Sequence, residues 1–167
     1  MKKVQILNSE DIQQKTRRIA YQIVEDNYDE SELTLIGIKP NGYAYAQLLR
    51  KEIEAIDKIK VTLLEVSLDK AKPLENEITL AMGKHTLNNK TVIVIDDVAN
   101  TGKTLYYALK PVMEFSPKKV QAVVLVDRQH KLFPVTADFV GLSLSTTLKE
   151  KIIVEFDKAG KGAAYLT

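Results

Sequence analysis

The segment Val92–Thr104, which reads VIVIDDVANTGKT, limits the possible folds of this chain more than any other. It opens on a run of apolar, β-branched residues, Thr91 to Ile95, of the kind found in strands buried on both faces. Two adjacent acids, Asp96 and Asp97, close that run. A short loop with Thr101, Gly102 and Thr104 follows, and then a helical pattern begins. Each part has a chemical use. Loop amides and the first helical amides lack internal partners and can hold a phosphate. Gly102 lets the backbone approach an anion, and the hydroxyls of Thr101 and Thr104 add donors. The paired carboxylates can bind a vicinal diol or a hydrated Mg2+. A lone Asp-Asp pair is often only a helix cap or a solvated turn; the apolar strand before it and the TGKT after it favour a site. Gly102-Lys103-Thr104 also ends like a phosphate loop of the Walker type. That motif needs a glycine five positions earlier, where this chain has Asp97, so the reading is rejected.

The rest of the chain supplies strands and helices in alternation. Ser9–Asp26 has Ile12, Ile19, Ile23 and Val24 at helical spacing, with Asn8 or Ser9 as the cap. Leu33–Ile38 reads as a strand ended by the turn Lys39-Pro40-Asn41-Gly42, Tyr43–Ile56 as a helix and Lys60–Val66 as a strand. Ser67–Lys84 is polar, carries Pro73 and Gly83, and reads as a mobile loop or hairpin with a possible strand at Ile78–Met82. Gly102–Phe115 is expected to be a helix weakened at Pro111, and Val120–Val126 a buried strand. Asp138–Leu142 and Ile152–Phe156 are weaker strand candidates. This alternation predicts an α/β fold: a mostly parallel sheet with helices on both faces, and ligands beyond the carboxyl ends of its strands.

Composition narrows the chemistry. The chain has 167 residues, 45% of them hydrophobic, enough for one core and one domain over residues 1–167. It has no cysteine, which rules out disulfides, thiolate zinc sites and a cysteine nucleophile. A formal charge of +2 does not demand a nucleic-acid partner. No stretch is apolar enough to span a membrane, and Met1 to Lys3 is not followed by a signal-peptide core; the expectation is a cytoplasmic protein. The two histidines, His85 and His130, are not spaced as metal ligands.

The segment from Asp96 to Thr104 resembles the signature of the type I phosphoribosyltransferases, which bind phosphoribosyl pyrophosphate (PRPP). Beyond it, the chain is similar nearly end to end to their PyrR-like branch, pyrimidine-operon attenuators that also act as uracil phosphoribosyltransferases. Arg18-Ile19-Ala20 lies in a similar first helix, and Gly37-Ile38-Lys39 with Gly42 is similar to the branch's pyrophosphate loop. Val124–Arg128 with His130 and Pro134, and then Ala137–Gly141, are similar to its later segments. The resemblance implies a single-domain fold with a small hood and a flexible lid, the lid being Ser67–Lys84. It implies transfer of ribose 5-phosphate from PRPP to a nucleobase, with Mg2+ as cofactor. Asp96 and Asp97 would bind the ribose hydroxyls and, through water, the metal; Ala99, Asn100, Thr101, Gly102, Lys103 and Thr104 would bind the 5-phosphate. Lys39 and the amides near Gly42 would hold pyrophosphate, and Asp96, Asp97 and Lys39 would serve catalysis. Arg128 would lie beside the base, Phe139 would stack on it, and the Val140 backbone would read its edge. A homodimer or dimer-based oligomer is expected.

Three features depart from the family pattern. Asn100 stands where hypoxanthine and guanine enzymes carry an aspartate near the purine, and an amide is no general base. This favours uracil over a purine as the base. The lid lacks the branch's Tyr-Arg-Asp-Asp run; Ser67–Lys72 stands there, with Lys70 or Lys72 as a substitute for the arginine. The first helix keeps Arg17 and Arg18 but adds Tyr21, Glu25 and Asp26, and those acids would repel an RNA backbone. An RNA-binding regulator with weak catalysis is the alternative from another class.

Overall fold

Asn8 starts the first helix with a reciprocal cap. Its side chain accepts from the Asp11 amide at 2.9 Å, and its own amide donates to the Asp11 carboxylate at 2.9 Å. Of the two cap candidates, Asn8 is the one used. The structure, a computed structural model, describes residues 3–167. In chain order the elements are β1 (Val4–Leu7), α1 (Ser9–Asp26), β2 (Glu32–Ile38), α2 (Asn41–Ile56), β3 (Lys60–Ser67) and β4 (Thr79–Leu80). They continue with β5 (Thr91–Ala99), α3 (Lys103–Ala108), β6 (Lys119–Arg128), β7 (Phe139–Leu144), β8 (Ile152–Phe156) and β9 (Gly162–Leu166).

The main sheet has the order β4-β3-β2-β5-β6-β7. All its pairings are parallel except β3 with the short β4. β2 and β5 are buried along nearly their whole length, as their continuous apolar runs require. Alternate residues feed two cores. Leu33, Leu35, Ile93 and Ile95 pack under α1 and α2; Ile36, Ile38, Val92 and Val94 face α3 and the loop around Leu87. β1, β9 and β8 form a second, antiparallel sheet of three strands, the hood. Leu7, Ile152, Val154 and Ala164 join it to the first core. β7 is an edge strand, and Arg18 of α1 covers part of it, donating from Nη2 to the carbonyls of Val140 at 3.1 Å and Gly141 at 2.6 Å. Among the described residues, no helix is long and apolar enough to cross a membrane.

The elements differ from the sequence expectation in four places. The central strand runs past Ile95 to Ala99, because the ladder to β6 continues through Asp96–Val124, Val98–Val126 and Ala99–Asp127. Both acids are therefore strand residues. The helix expected over Gly102–Phe115 ends at Ala108. Pro111 cannot donate to a helical ladder, and the chain goes on as a 3-10 turn at Val112–Glu114. Only Thr79–Leu80 of the segment Ile78–Met82 pairs as a strand. β1 and β9 had no expectation at all; each is short, and they pair across almost the entire chain.

Candidate active site

β2 and β5 are neighbours, yet the chain leaves them in opposite directions: α2 leads to β3, and α3 leads to β6. A crevice opens at such a switch point, beyond the strands' carboxyl ends. Here it holds a cleft of about 210 Å3. Asp96 and Asp97 line its floor. The loop from Ala99 to Leu105 forms one wall, Ile152 to Val154 of the hood form the other, and Asn41 and Lys70 complete the lining.

The acids are almost sealed, with Asp96 at 1% and Asp97 at 6% exposure. The Asp97 amide donates to Oδ1 of Asp96 at 3.0 Å. The ammonium of Lys70, from the segment after β3, donates to the same oxygen at 3.1 Å and stands 3.7 Å from Asp97 Oδ1. Burial pushes the Asp96 carboxyl well above the usual carboxylate range; the Asp97 charge pushes it further, and Lys70 opposes both. Burial works against the Lys70 ammonium, but the charges of Asp96 and Asp97 outweigh it and raise that pKa. Lys72 points elsewhere, pairing with Glu75 at 2.8 Å. Of the two lid lysines, Lys70 is the one that meets the acids.

The phosphate-type loop is braced from behind. Gly102 sits in the left-handed region with φ 82° and opens α3. The Thr101 carbonyl accepts from the Leu132 amide at 2.9 Å and the Phe133 amide at 3.1 Å. Lys131 donates to the Ala99 carbonyl at 3.2 Å, to the Arg128 carbonyl and to Asp127. On the open side Lys103 donates to the Ala71 carbonyl at 2.9 Å and ties the loop to the lid segment. Gly42 has a packing role: a Cβ there would lie 2.7 Å from the Ile95 carbonyl and 2.9 Å from Asp96 Oδ1. Only glycine lets the first turn of α2 approach the acid pair this closely.

Two asparagines join the cleft to the hood. Asn100 donates from Nδ2 to the Ile152 carbonyl and accepts at Oδ1 from the Ile152 amide, each at 3.2 Å. Asn41 donates to the Val154 carbonyl at 2.8 Å and to Asp97 Oδ2 at 3.2 Å.

The structure thus gathers Asp96, Asp97, Ala99, Asn100, Thr101, Gly102, Lys103 and Thr104 around one cleft. Gly42 packs against Asp96 at the edge of this cleft, and Lys39, Arg128, Phe139 and Val140 lie elsewhere. Lys39 is paired through its ammonium with Glu65 at 2.6 Å, because β3 brings that acid alongside the end of β2. Arg128 is 4% exposed and spends its guanidinium on Thr146 Oγ1 at 2.6 Å and the Thr147 carbonyl at 2.8 Å, so it anchors the connection into β8. Phe139, expected to stack on a base, is a core residue at 8% exposure. It opens β7 level with Val123, several residues before the strand's carboxyl end, and packs in the core under α1. The Val140 carbonyl is taken by Arg18, and Val140 does not line the cleft. The side of the cleft away from the phosphate-type loop is lined by Ile152, Ile153 and Val154. Sequence reading missed these residues and Asn41, since their partners are distant in the chain, and it missed Lys131, whose local partners Asp127 and Arg128 do not reveal its reach to the Ala99 carbonyl. The apolar alternation of Ile152–Phe156 marked a strand but not what it faces. His85 and His130 are exposed, and among the described residues no cluster of three or more His, Cys, Asp or Glu side chains can hold a metal by itself.

Comparison with known proteins agrees with this architecture. The pattern of the phosphoribosyl transferase domain matches residues 4–158. The bifunctional protein PyrR of Trichormus variabilis is 38% identical over 165 residues, covering 92% of this chain and 89% of the relative. That of Enterococcus faecalis is 33% identical over 164 residues, covering 95% and 92%. Among solved structures, a hypoxanthine-guanine phosphoribosyltransferase of Bacillus anthracis superposes with a TM-score of 0.75 at 22% identity, covering 97% of this chain and 96% of the other. The hypoxanthine phosphoribosyltransferase of Trypanosoma cruzi gives 0.77 at 16% identity, covering 97% and 95%. At these identities the two structures speak for the fold alone.

Proposed function

This chain belongs to the phosphoribosyltransferase family, in its PyrR-like branch, and from that premise we propose that it transfers ribose 5-phosphate from PRPP to uracil and releases pyrophosphate. One observation carries the reading: the buried pair Asp96–Asp97 and the loop Ala99–Thr104 line a single cleft at the switch point of the sheet. A ribose bound by its vicinal hydroxyls to the acids would reach the loop with its 5-phosphate. The base attached at C1 would then lie toward the hood.

In this reading the chain's residues act by charge and position, which is what such a reaction needs. The bond from C1 to pyrophosphate breaks, positive charge develops on the ribose, and a base nitrogen attacks from the opposite face and gives up its proton to water or to the departing pyrophosphate. The amides of Thr101 to Thr104 hold the phosphate end. Asp96 and Asp97 fix the diol beside the developing charge. Lys70, already turned into the cleft, is better placed than Lys39 to meet departing pyrophosphate. The lid segment, tied to the phosphate loop by Lys103 on the Ala71 carbonyl, would keep water from the reacting carbon after the ribose has displaced Lys70 from Asp96.

The acids also fit a hydrated Mg2+, since a cation, the Lys70 ammonium, already lies between them. Asp96 and Asp97 would hold the ion through its water ligands, beside the PRPP oxygens. When bound, Mg2+ would neutralise the charge of the leaving pyrophosphate.

The relatives' name, bifunctional, favours a second reading, an RNA-binding regulator of pyrimidine genes. Its support in this chain is weaker. Arg18 is committed to the edge of β7, and Glu25 and Asp26 follow on the same helix. A homodimer belongs to the same proposal and is checked by sizing.

The test is pyrophosphate release from PRPP and Mg2+ with uracil, hypoxanthine, guanine, xanthine and adenine supplied one at a time. Release with uracil alone is the expected result. Release with a purine would replace the base and keep the mechanism. PRPP binding with no release for any base would sink the enzyme reading and favour the regulator.

A further inference from the structure

The wall of the cleft opposite the phosphate loop is one strand of the hood, β8, and side chains from both loops of the switch point reach it. Asn100 meets the Ile152 peptide with both halves of its amide. This is the pairing that a neighbouring strand would offer, made by a side chain. Asn41 takes the Val154 carbonyl and at the same time touches Asp97. Ile152 and Val154 turn their side chains into the core, at 3% and 1% exposure, while Ile153 between them is 43% exposed and lines the cleft. The strand is thus gripped along its backbone at two points and presents one apolar side chain to the space above the acids.

We propose that Asn100 is a positioning residue for the base: by clamping Ile152 it fixes the height of the β8 wall over the ribose site and joins that wall to the phosphate loop. The proposal rests on the nucleobase-transfer reading and deepens it. Asn100 stands between Asp97, which would hold the diol, and Thr101, which begins the phosphate grip. Any displacement of the wall therefore changes the gap that the base must fill without moving either PRPP anchor. Asn41 is a second clamp of a different kind. Because it also bonds Asp97, its loss reaches the ribose side as well as the wall. A side-chain amide suits the Asn100 position, since it offers a donor and an acceptor to a peptide that presents one of each. A carboxylate would keep the bond to the Ile152 amide and set a negative oxygen against the Ile152 carbonyl.

The experiment compares wild type, Asn100→Ala, Asn100→Asp and Asn41→Ala by steady-state kinetics and by hydrogen exchange of the substrate-free protein. Loss of two neutral hydrogen bonds is expected to raise the KM for the base about tenfold in Asn100→Ala, equivalent to ~1.4 kcal/mol. The KM for PRPP should change less than about threefold, a difference that clearly separates the two substrates on the same scale. Asn100→Asp should follow Asn100→Ala despite its nearly equal volume, and Asn41→Ala should raise both KM values. In exchange, the amides of residues 150–156 should lose protection in both Asn100 variants while those of β5 keep theirs. An unchanged KM for the base, or equal loss of affinity for base and PRPP in Asn100→Asp, overturns the proposal. Unchanged protection of residues 150–156 overturns it too. If wild type transfers to no base, the nucleobase reading has failed, and the exchange comparison still decides whether Asn100 holds the hood.

Discussion

The Lys70 ammonium lies 3.1 Å from Oδ1 of Asp96, in the cleft where the family signature would place a ribose. The contact joins the segment between β3 and β4 to the centre of the sheet, and Lys103 on the Ala71 carbonyl adds a second tie. The segment between β3 and β4 is therefore fastened to the residues proposed to hold the ligand. A ligand entering the acid pair must displace Lys70, and displacement frees the lysine to meet whatever leaves.

Removing either partner should loosen that segment. Lys70→Met is expected to speed limited proteolysis between Leu68 and Glu77 about threefold to fivefold, as a partly exposed ion pair worth ~1 kcal/mol or less allows. Asp96→Asn should do the same from the other side. The double variant should be cut no faster than the faster single, because one contact cannot be lost twice. Additive rates would show that the two residues act on the segment independently.

Asp96 should weaken the fold that contains it. Its folded carboxyl titrates above the ordinary range because it is buried and stands beside Asp97. The unfolded chain therefore gives up this proton first, and stability is lost as pH rises from the ordinary carboxylate range through the raised folded value. Asp96→Asn removes that loss. At pH 7 the substrate-free variant should melt about 3 °C or more above wild type, the shift that ~1 kcal/mol produces in a chain of this size. The gap should close below about pH 4, where the unfolded carboxyl is also protonated. Calorimetry at both pH values checks this, and the same variant should lose PRPP binding.

The Val92–Thr104 segment was readable because strand, acids and loop are contiguous, and each is specified by its own neighbours. The hood was not. β1 pairs with β9 across the length of the chain, and Asn100 finds Ile152 through a connection of 52 residues. Nothing local to Asn100 says that its amide will meet a peptide instead of a ligand. Lys39 shows the same gap from the other side: a lysine after a strand suggested pyrophosphate, but the parallel register of β2 with β3 puts Glu65 beside it.

At the other end of the sheet, Glu32 gives a pH test of the fold without touching the cleft. The Lys90 ammonium hydrogen-bonds its carboxylate at 2.8 Å; burial opposes that effect, and Thr62 and Lys60 reinforce it, bringing the pKa down from 4.5 to about 2. A depressed carboxyl stabilises the fold above its unfolded pKa, and the gain fades as pH falls toward the folded value. Glu32→Gln should therefore cost ~1–2 kcal/mol at pH 7, discounted because the site is partly open to solvent. The difference should shrink between pH 4.5 and about 2. Urea unfolding across that range would show it, and a gap that stayed constant would mean that packing, not charge, sets the cost.

Phe139 separates a core residue from a base platform. Its ring packs with the residues under α1, at 8% exposure, while the cleft wall is built from β8. Phe139→Leu keeps an apolar side chain but loses volume, so it should destabilise the protein by ~1–1.5 kcal/mol. The KM for the base should stay within about twofold of wild type, because a lost aromatic stack would be worth ~1–3 kcal/mol and would move it at least fivefold. Ile153→Ala should give the opposite pattern: little change in melting, since the side chain is 43% exposed, and weaker use of the base it faces. Melting curves and base titrations on the two variants decide it. A large KM effect from Phe139→Leu with unchanged stability would return the ring to the site and require the hood to sit differently when the base is bound.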